Sequence, residues 1–314
     1  MKKLISICIP TYNRCAKVKL AIESALSVKS ELIDIIVMDN YSPDNTWSEI
    51  NKLDDSRLKV FRQGKNIGFC GNLLDVVSKA ETDFVFLLSD DDLINPKYVE
   101  KIIEEGLLDS CATGIIYGSI FNTHKNKFYS EYSNSLYNRL SGISEVAVKH
   151  SYMSGMILNK KYIDMKLLYQ LYQCEDKLMY PHEVMVLSIL QQNKDIITIS
   201  DICCYQGVPG FSHIIDETVY YYYTERVYLI KQYIRITNYI YEEGVERDTI
   251  KKNIAHLATV ILLNSSPLIW GKGHKKIIHR LKYYIAINSI RKMSFKFNLN
   301  IIRVLILKVL NLRF

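Results

Sequence analysis

Residues 84–96 read FVFLLSDDDLINP: a short apolar run, a serine, three consecutive aspartates and, four residues after the last of them, a proline. An apolar, aromatic and β-branched run of this length reads as a buried strand. Proline suits the first turn of a helix, where its missing N–H is not needed. The stretch is therefore a strand, an acidic loop and a helix start. Asp90, Asp91 and Asp92 carry like charge at neighbouring positions and repel one another, so a cation or a set of donors must offset them.

The same strand-then-helix pattern extends outward. LISICIP (4–10), LIDIIVMD (32–39) and RLKVF (57–61) read as further strands. Between them, residues 16–28 place Val18, Ala21, Ile22, Ala25 and Leu26 on one helical face. A second helix starts near Thr46 with Asp44 or Asn45 as its cap. GNLLDVVSKA (71–80) is a third, and NPKYVEKIIEEGLL begins a fourth. Almost wholly apolar strands alternating with helices imply an α/β fold with a mostly parallel sheet covered on both faces. Ligands bind such sheets outside the carboxyl ends of the strands. Asn13, Asp39, Asn66 and the aspartate cluster all follow strands and are expected to converge on that edge.

The pattern changes from about residue 111. GIIYGSIFNTH and KNKFYSEYS read as a hairpin with its turn at 124–126, SGMILNKKYI (154–163) as a strand and a helix start, and HEVMVLSILQQ (182–192) as a helix. DIITISDICCYQ reads as a pair of strands, and GVPGFSH (207–213) as a loop. After Asp216 the periodicity is helical. We expect one domain over 1–215, with halves at 1–110 and 111–215, and an α-helical appendage over 216–314.

Composition is that of a globular protein, 48% hydrophobic and 23% charged. No run of 18 apolar residues marks a membrane span. The N-terminal MKKLISICIPTYNR reads as a strand rather than a signal peptide, because Pro10, Asn13 and Arg14 interrupt its apolar stretch, and this predicts a cytoplasmic protein. The seven cysteines form no CxxC pair, which argues against zinc and against a disulfide framework. The net charge of +7 is unevenly spread. Residues 251–314 hold 13 Lys and Arg and no acid, while the first 250 residues have a net charge of −6. A basic tail of this kind suits phosphate, anionic lipid or nucleic acid.

Adjacent carboxylates at a strand end point to Mg2+ or Mn2+, which take oxygen ligands and often only one or two carboxylates plus substrate phosphates. Aspartates also favour the first turn of a helix, and that reading stays open for the cluster. Asp39 is placed either to accept hydrogen bonds from a nucleobase or ribose or to close an Asx turn. Thr11 and Asn13 offer polar side chains at the end of the first strand.

Taken in order, SICIPTYNR, IIVMDNYSPDNT, NIGFCGNLLDVV and FVFLLSDDDLINP resemble the family 2 glycosyltransferases of the GT-A fold over roughly residues 3–210, and most of all the bacterial O-antigen and capsule enzymes, abequosyltransferase-like members included. The resemblance implies an inverting, Mn2+- or Mg2+-dependent transferase using a nucleotide-diphosphate sugar. It puts Pro10, Thr11 and Asn13 on the nucleotide, Asp39 on the base, and Asn66 and Gly68 beside the diphosphate and donor sugar. Asp91 becomes the direct metal ligand, Asp90 contacts the donor, and Asp92 holds the loop or a metal-bound water. Ser89 stands where the family's first acid usually lies. Glu183 is implied as catalytic base, with His182 in the place of a preceding acid; a first-turn partner of the helix dipole is the plainer alternative for Glu183. Ser154 and Gly155 match the acceptor-side loop, and His213 would reach the diphosphate or metal.

The family often acts on polyprenyl-diphosphate-linked glycans at the inner membrane face. NLNIIRVLILKVLNLRF (298–314), apolar with Arg303, Lys308 and Arg313, is expected to lie in an anionic membrane interface there. Nucleic acid is not an expected partner. A nucleic-acid-binding protein using the tail and a non-catalytic nucleotide-sugar-binding scaffold are the alternatives. A nucleotidyltransferase is disfavoured because PTYNRCAK has no glycine.

Overall fold

The computed structural model describes residues 2–109, 111–146, 152–174, 178, 180–207, 234–251 and 253–254. The chain divides into two compact units, the first made of Met1–Gly142 with Tyr152–Ser212 and the second of Ile143–Ser151 with His213–Phe314. The first unit runs β1 (Ile5–Thr11), α1 (Cys15–Leu26), β2 (Ile33–Asp39), α2 (Thr46–Ile50), β3 (Leu58–Arg62), α3 (Gly68–Lys79), β4 (Phe84–Leu87), β5 (Leu93–Ile94) and α4 (Pro96–Glu104). It continues through β6 (Thr113–Asn122), β7 (Lys127–Ser130), β8 (Ser135–Tyr137), α5 (Arg139–Glu145, which crosses into the second unit), β9 (Met156–Asn159), α6 (Met165–Gln173), α7 (Pro181–Gln191) and β10 (Asp195–Gln206).

One sheet takes the order β3-β2-β1-β4-β9-β6-β10-β5, with β7 on β6 and β8 on β10. The first four strands are all parallel. β9 then runs antiparallel between β4 and β6, which restores β6 and its parallel neighbour β10 to the direction of β4. Every residue of β1 and β2 is buried, as strands covered on both faces require. The alternation of side chains explains how. Ile5, Ile7 and Ile9 join Val18, Ala21, Ile22 and Ala25 of α1 in one core. On the other face the Cys8 thiol reaches the Val76 carbonyl of α3 at 3.8 Å.

The register levels the functional edge. Thr11 pairs with Asp39, and Asp39 with Arg62, so β1, β2 and β3 end together. The Leu88 N–H donates to the Cys8 carbonyl at 3.0 Å, which sets the loop that follows β4 beside the end of β1. Pro96 opens α4 in its first turn. Just before α2, Asp44 Oδ1 accepts the Thr46 N–H at 3.0 Å, while Asn45 takes the N-cap position without a side-chain hydrogen bond.

DIITISDICCYQ departs from expectation, since it forms one strand, β10, and not two. Its pairing with β6 shifts register between Ile199 and Ile202 and again before Cys204. Nothing in SDICC supplies the positive φ that a tight hairpin turn needs, so the irregularity is taken up as a bulge. The Ser200 N–H is met by Asn134 Oδ1 at 2.8 Å, and Asp201 pairs with Lys101 at 2.5 Å.

In the second unit, residues 234–240 and 245–251 are helical. They bury Ile236, Ile240 and Ile250, and Asn253 Nδ2 donates to the Ile143 carbonyl at 2.5 Å. The rest of the helical appendage expected over 216–314, the 298–314 segment included, and His213 lie outside the described residues. Among the described residues no helix is long and apolar enough to cross a membrane.

Candidate active site

The end of β2 is organised around Asp39, which is fully buried. Its carboxylate accepts from the Ser42 N–H (3.2 and 3.3 Å) and from the Ser42 hydroxyl, and it pairs with Arg62 Nε at 3.1 Å. Ser42 Oγ in turn accepts the Asn13 N–H at 2.8 Å, so the loops after β1 and β2 share one carboxylate. Asn13 sits at φ 55°, a left-handed conformation that asparagine tolerates better than most residues. Arg62 also donates to the Ser42 carbonyl at 3.1 Å and lies 4.9 Å from the ring centre of Tyr41 and 5.6 Å from that of Trp47. Tyr12 and Tyr41 expose about half their surface at this edge (41% and 51%). Pro10 is buried in β1.

Asn66 and Gly68 belong to the same edge. Asn66 Oδ1 accepts from Asn40 Nδ2 at 3.0 Å and from the Gly68 N–H at 2.9 Å, while Asn40 Oδ1 accepts the Ile67 N–H at 2.9 Å. Gly68 has φ 79° with open space where a Cβ would lie, so conformation rather than crowding calls for glycine.

The three aspartates have three different surroundings. Asp90 is buried; its Oδ2 accepts from the Thr11 hydroxyl and its Oδ1 from Arg14 Nη1, each at 2.8 Å. Burial raises its pKa, Arg14 opposes the rise, and Asp91 adds to it. Asp91 is the more open of the two acids Arg14 holds, its side chain 21% exposed against 7% for Asp90. Its Oδ1 accepts the Ser89 hydroxyl at 2.7 Å and its Oδ2 pairs with the same Arg14 Nη1 at 2.9 Å. Asp92 accepts from Tyr152 Oη and Ser154 Oγ at 2.5 Å each and from the Gly207 N–H at 2.8 Å. Burial, then the Asp91 charge, push its pKa up to about 6 against the pull of those donors. Both oxygens of Asp92 face inward donors and the residue is 1% exposed. Asp92 therefore ties the acidic loop to the segments before β9 and after β10.

Ser154 and Gly155, expected on the acceptor side, also have inward tasks. Ser154 is buried; its hydroxyl accepts the Ser89 N–H at 2.9 Å while donating to Asp92. Gly155 has φ 90°, its N–H donates to the Leu87 carbonyl at 3.0 Å, and a Cβ there would lie 2.3 Å from Cys203 Sγ. The close approach that requires glycine is to the protein's own β10.

Glu183 and His182 lie in the first turn of α7, both buried. The His182 ring meets Tyr180 edge-on at 5.4 Å. Neither oxygen of Glu183 has a hydrogen-bond partner in the described structure, and burial raises its pKa to about 8. Its charge is felt by Tyr117 and Tyr132, whose hydroxyls it helps hold protonated. Tyr117 in turn pairs with Met156 at the start of β9, two residues after Ser154. An ionisable carboxyl group in an apolar setting, without donors, is the environment that makes a strong base.

The acids suit a hard divalent cation. Asp90 Oδ1 and Asp91 Oδ2 converge on one cationic nitrogen, and both are carboxylate oxygens. Among the described residues no cluster of three or more His, Cys, Asp or Glu is assembled, so two carboxylates would leave the remaining positions to water and a diphosphate.

A sequence profile described as glycosyl transferase family 2 matches residues 6–168, just over half of the chain. The chain belongs to this family. The match takes in Thr11, Asp39, Asn66 and all three aspartates. Among curated relatives, the UDP-Glc:α-D-GlcNAc-diphosphoundecaprenol β-1,3-glucosyltransferase of Escherichia coli is 35% identical over 101 residues, 32% of this chain and 40% of that one. The GalNAc(5)-diNAcBac-PP-undecaprenol β-1,3-glucosyltransferase of Campylobacter jejuni is 36% identical over 95 residues, 28% of this chain and 29% of that one. The aligned region thus spans well under half of either relative. Residues 1–349 of Staphylococcus aureus TarS in complex with UDP-GlcNAc superpose with a TM-score of 0.65 at 15% identity, covering 92% of this chain and 80% of that one. The Pyrobaculum calidifontis mannosyltransferase in complex with GDP-Man and Mn2+ gives 0.56 at 13% identity, covering 100% and 89%. At these identities the likeness is one of fold, and the fold of this family 2 member is GT-A.

The sequence had not singled out Arg14, Ser42, Arg62 or Tyr152. Arg62 was within reach of it, because strands that end level at one edge place Arg62 opposite Asp39.

Proposed function

We propose that this chain is an inverting glycosyltransferase that moves a sugar from a nucleotide-diphosphate donor to a glycan carried on polyprenyl diphosphate, in the building of a surface polysaccharide. The observation that carries the proposal is the pair of carboxylates, Asp90 and Asp91, converging on a single cationic position at the end of β4. The family match, the lipid-diphosphate acceptors named for the two relatives, and the donor and Mn2+ named for the two folds support it.

In this reading Thr11, Asn13 and the Asp39–Arg62 pair shape the pocket for the nucleoside, and Asn66 and Gly68 approach the donor. Asp91, with Asp90 beside it, would hold Mn2+ or Mg2+. When bound, the cation neutralises the diphosphate as it leaves. Asp92, anchored by Tyr152 and Ser154, keeps the loop in place. Glu183 takes the proton from the acceptor hydroxyl as that oxygen attacks the anomeric carbon from the face opposite the diphosphate. With its pKa raised to about 8, Glu183 is a strong base once its own proton is lost, so transfer should rise as pH climbs toward 8. His182 beside it shapes the acceptor end of the site. The acid-free segment 251–314 would hold the enzyme at an anionic inner membrane face, where lipid-linked acceptors lie.

A thermal-shift panel of UDP-, dTDP-, CDP- and GDP-sugars with and without Mn2+ tests the proposal. One nucleotide should raise Tm by several degrees only when Mn2+ is present; ligand at a hundredfold excess over Kd stabilises by about 2.7 kcal/mol. A flat panel would count against a donor site.

A further inference from the structure

We infer that Arg14 is the resident counter-ion of the Asp90–Asp91 pair and competes with the divalent cation for it, so that the metal is taken up together with the donor diphosphate and not before it. The inference rests on the proposed metal role of these two acids. One guanidinium nitrogen, Nη1, bridges Asp90 Oδ1 at 2.8 Å and Asp91 Oδ2 at 2.9 Å. A hard cation would need those same oxygens at about 2.1 Å, and two positive centres cannot share them.

The outer oxygens of the pair are held independently of Arg14. Thr11 donates to Asp90 Oδ2, and Ser89 donates to Asp91 Oδ1. The two carboxylates therefore stay aimed at one point when the guanidinium leaves. Ser89 matters in a second way. As a neutral donor it adds no third acid at this point, so the arginine faces two negative charges and offsets one of them.

Arg14 is also able to leave. It is the residue before α1, with no side-chain role in capping that helix, and its side chain is 44% exposed on a long flexible stem. The openness is on the arginine's side: Asp90 and Asp91 are 7% and 21% exposed, so the acids stay in place while the guanidinium has solvent to swing into. Once displaced, the guanidinium stays at the donor edge, where its planar fork suits the oxygens of a diphosphate. Nucleotide thus supplies both the remaining metal ligands and a new partner for Arg14. Mn2+ and nucleoside diphosphate then favour each other's binding, and by linkage the effect is reciprocal.

The test is the titration of the full chain with Mn2+, free ion being read by electron paramagnetic resonance, alone and with UDP or GDP. Arg14→Gln should bind Mn2+ alone roughly tenfold tighter than wild type, and the gap should narrow once UDP or GDP is added. Arg14→Lys, whose ammonium is a point charge rather than a fork, should fall between them and carries the comparison if the glutamine variant does not fold. Mn2+ affinity in Arg14→Gln equal to or weaker than wild type, or in Arg14→Lys if that variant carries the comparison, overturns the role of Arg14 while leaving the metal site standing. Absence of Mn2+ binding in every protein, with either nucleotide, overturns the metal reading and this inference together.

Discussion

The acidic loop after β4 and the start of α7 handle buried carboxyl groups in opposite ways. The loop surrounds its acids with donors: Thr11 and Arg14 for Asp90, Ser89 and Arg14 for Asp91, Tyr152, Ser154 and the Gly207 N–H for Asp92. Glu183 has none in the described structure. The consequence is visible in the two groups that burial shifts most clearly. Asp92, 1% exposed but with three donors, is raised to about 6, and Glu183, fully buried without donors, to about 8. Donors keep an acid available as an anion. Their absence keeps it ready to hold a proton. A site that must retain a cation in one place and collect a proton in another needs both arrangements.

The first way to break this contrast is Asp91→Ala. Because Asp91 is the open member of the pair, its loss should abolish Mn2+-dependent donor binding and lower transfer by about a thousandfold or more, with little change in Tm. Retained Mn2+-dependent activity would overturn the assignment.

Glu183 offers a test that needs no substrate. Its folded pKa lies above the ordinary 4.5, so below pH 4.5 it is protonated whether or not the chain is folded. Between pH 4.5 and about 8 the folded state holds a proton that the unfolded state has released, so stability contributed by the neutral group is lost as pH rises through that window. The span corresponds to roughly 5 kcal/mol. Glu183→Gln should therefore be more stable than wild type at pH 8.5 and near wild type at pH 4.5 in urea unfolding. An advantage independent of pH would contradict the buried, donor-free environment.

Asp92→Asn should cost less, about 2–3 kcal/mol, because with the amide oxygen kept toward Tyr152 and Ser154 its NH2 faces the Gly207 N–H, which can only donate. Its effect on transfer should follow disorder of the loop and appear mainly in donor KM. The smallest structural effect is expected from removing residues 298–314: Tm of the first unit unchanged, but the protein lost from the membrane fraction of lysed cells. Unchanged fractionation would argue against the interface reading.

Much of the fold was legible because its signals are local. Apolar runs marked β1, β2 and β4, Pro96 marked the start of α4, and the Asp44–Asn45 pair marked the start of α2. The acids after β2 and β4 could be placed at one edge by topology alone. What each acid does was not legible, since the partners that decide it are distant in sequence: Arg14 meets Asp90 across 76 positions and Tyr152 meets Asp92 across 60. Ser154 and Gly155 illustrate the same limit. A small residue pair allows close approach, but only the packed sheet shows that Asp92 and Cys203 are what approaches. The single strand β10 was missed because a bulge and a turn draw on similar polar residues, and register with β6 decides between them.

The most direct measurement pairs donor binding with transfer in Glu183→Gln. With Mn2+ and the nucleotide sugar found by the thermal panel, calorimetry should show donor affinity within about twofold of wild type, because Glu183 makes no hydrogen bond to the loop acids. Single-turnover transfer to a diphosphate-lipid-linked acceptor should fall by about two to four orders of magnitude. A variant that binds donor and still transfers at the wild-type rate would contradict the assignment of Glu183 as the base.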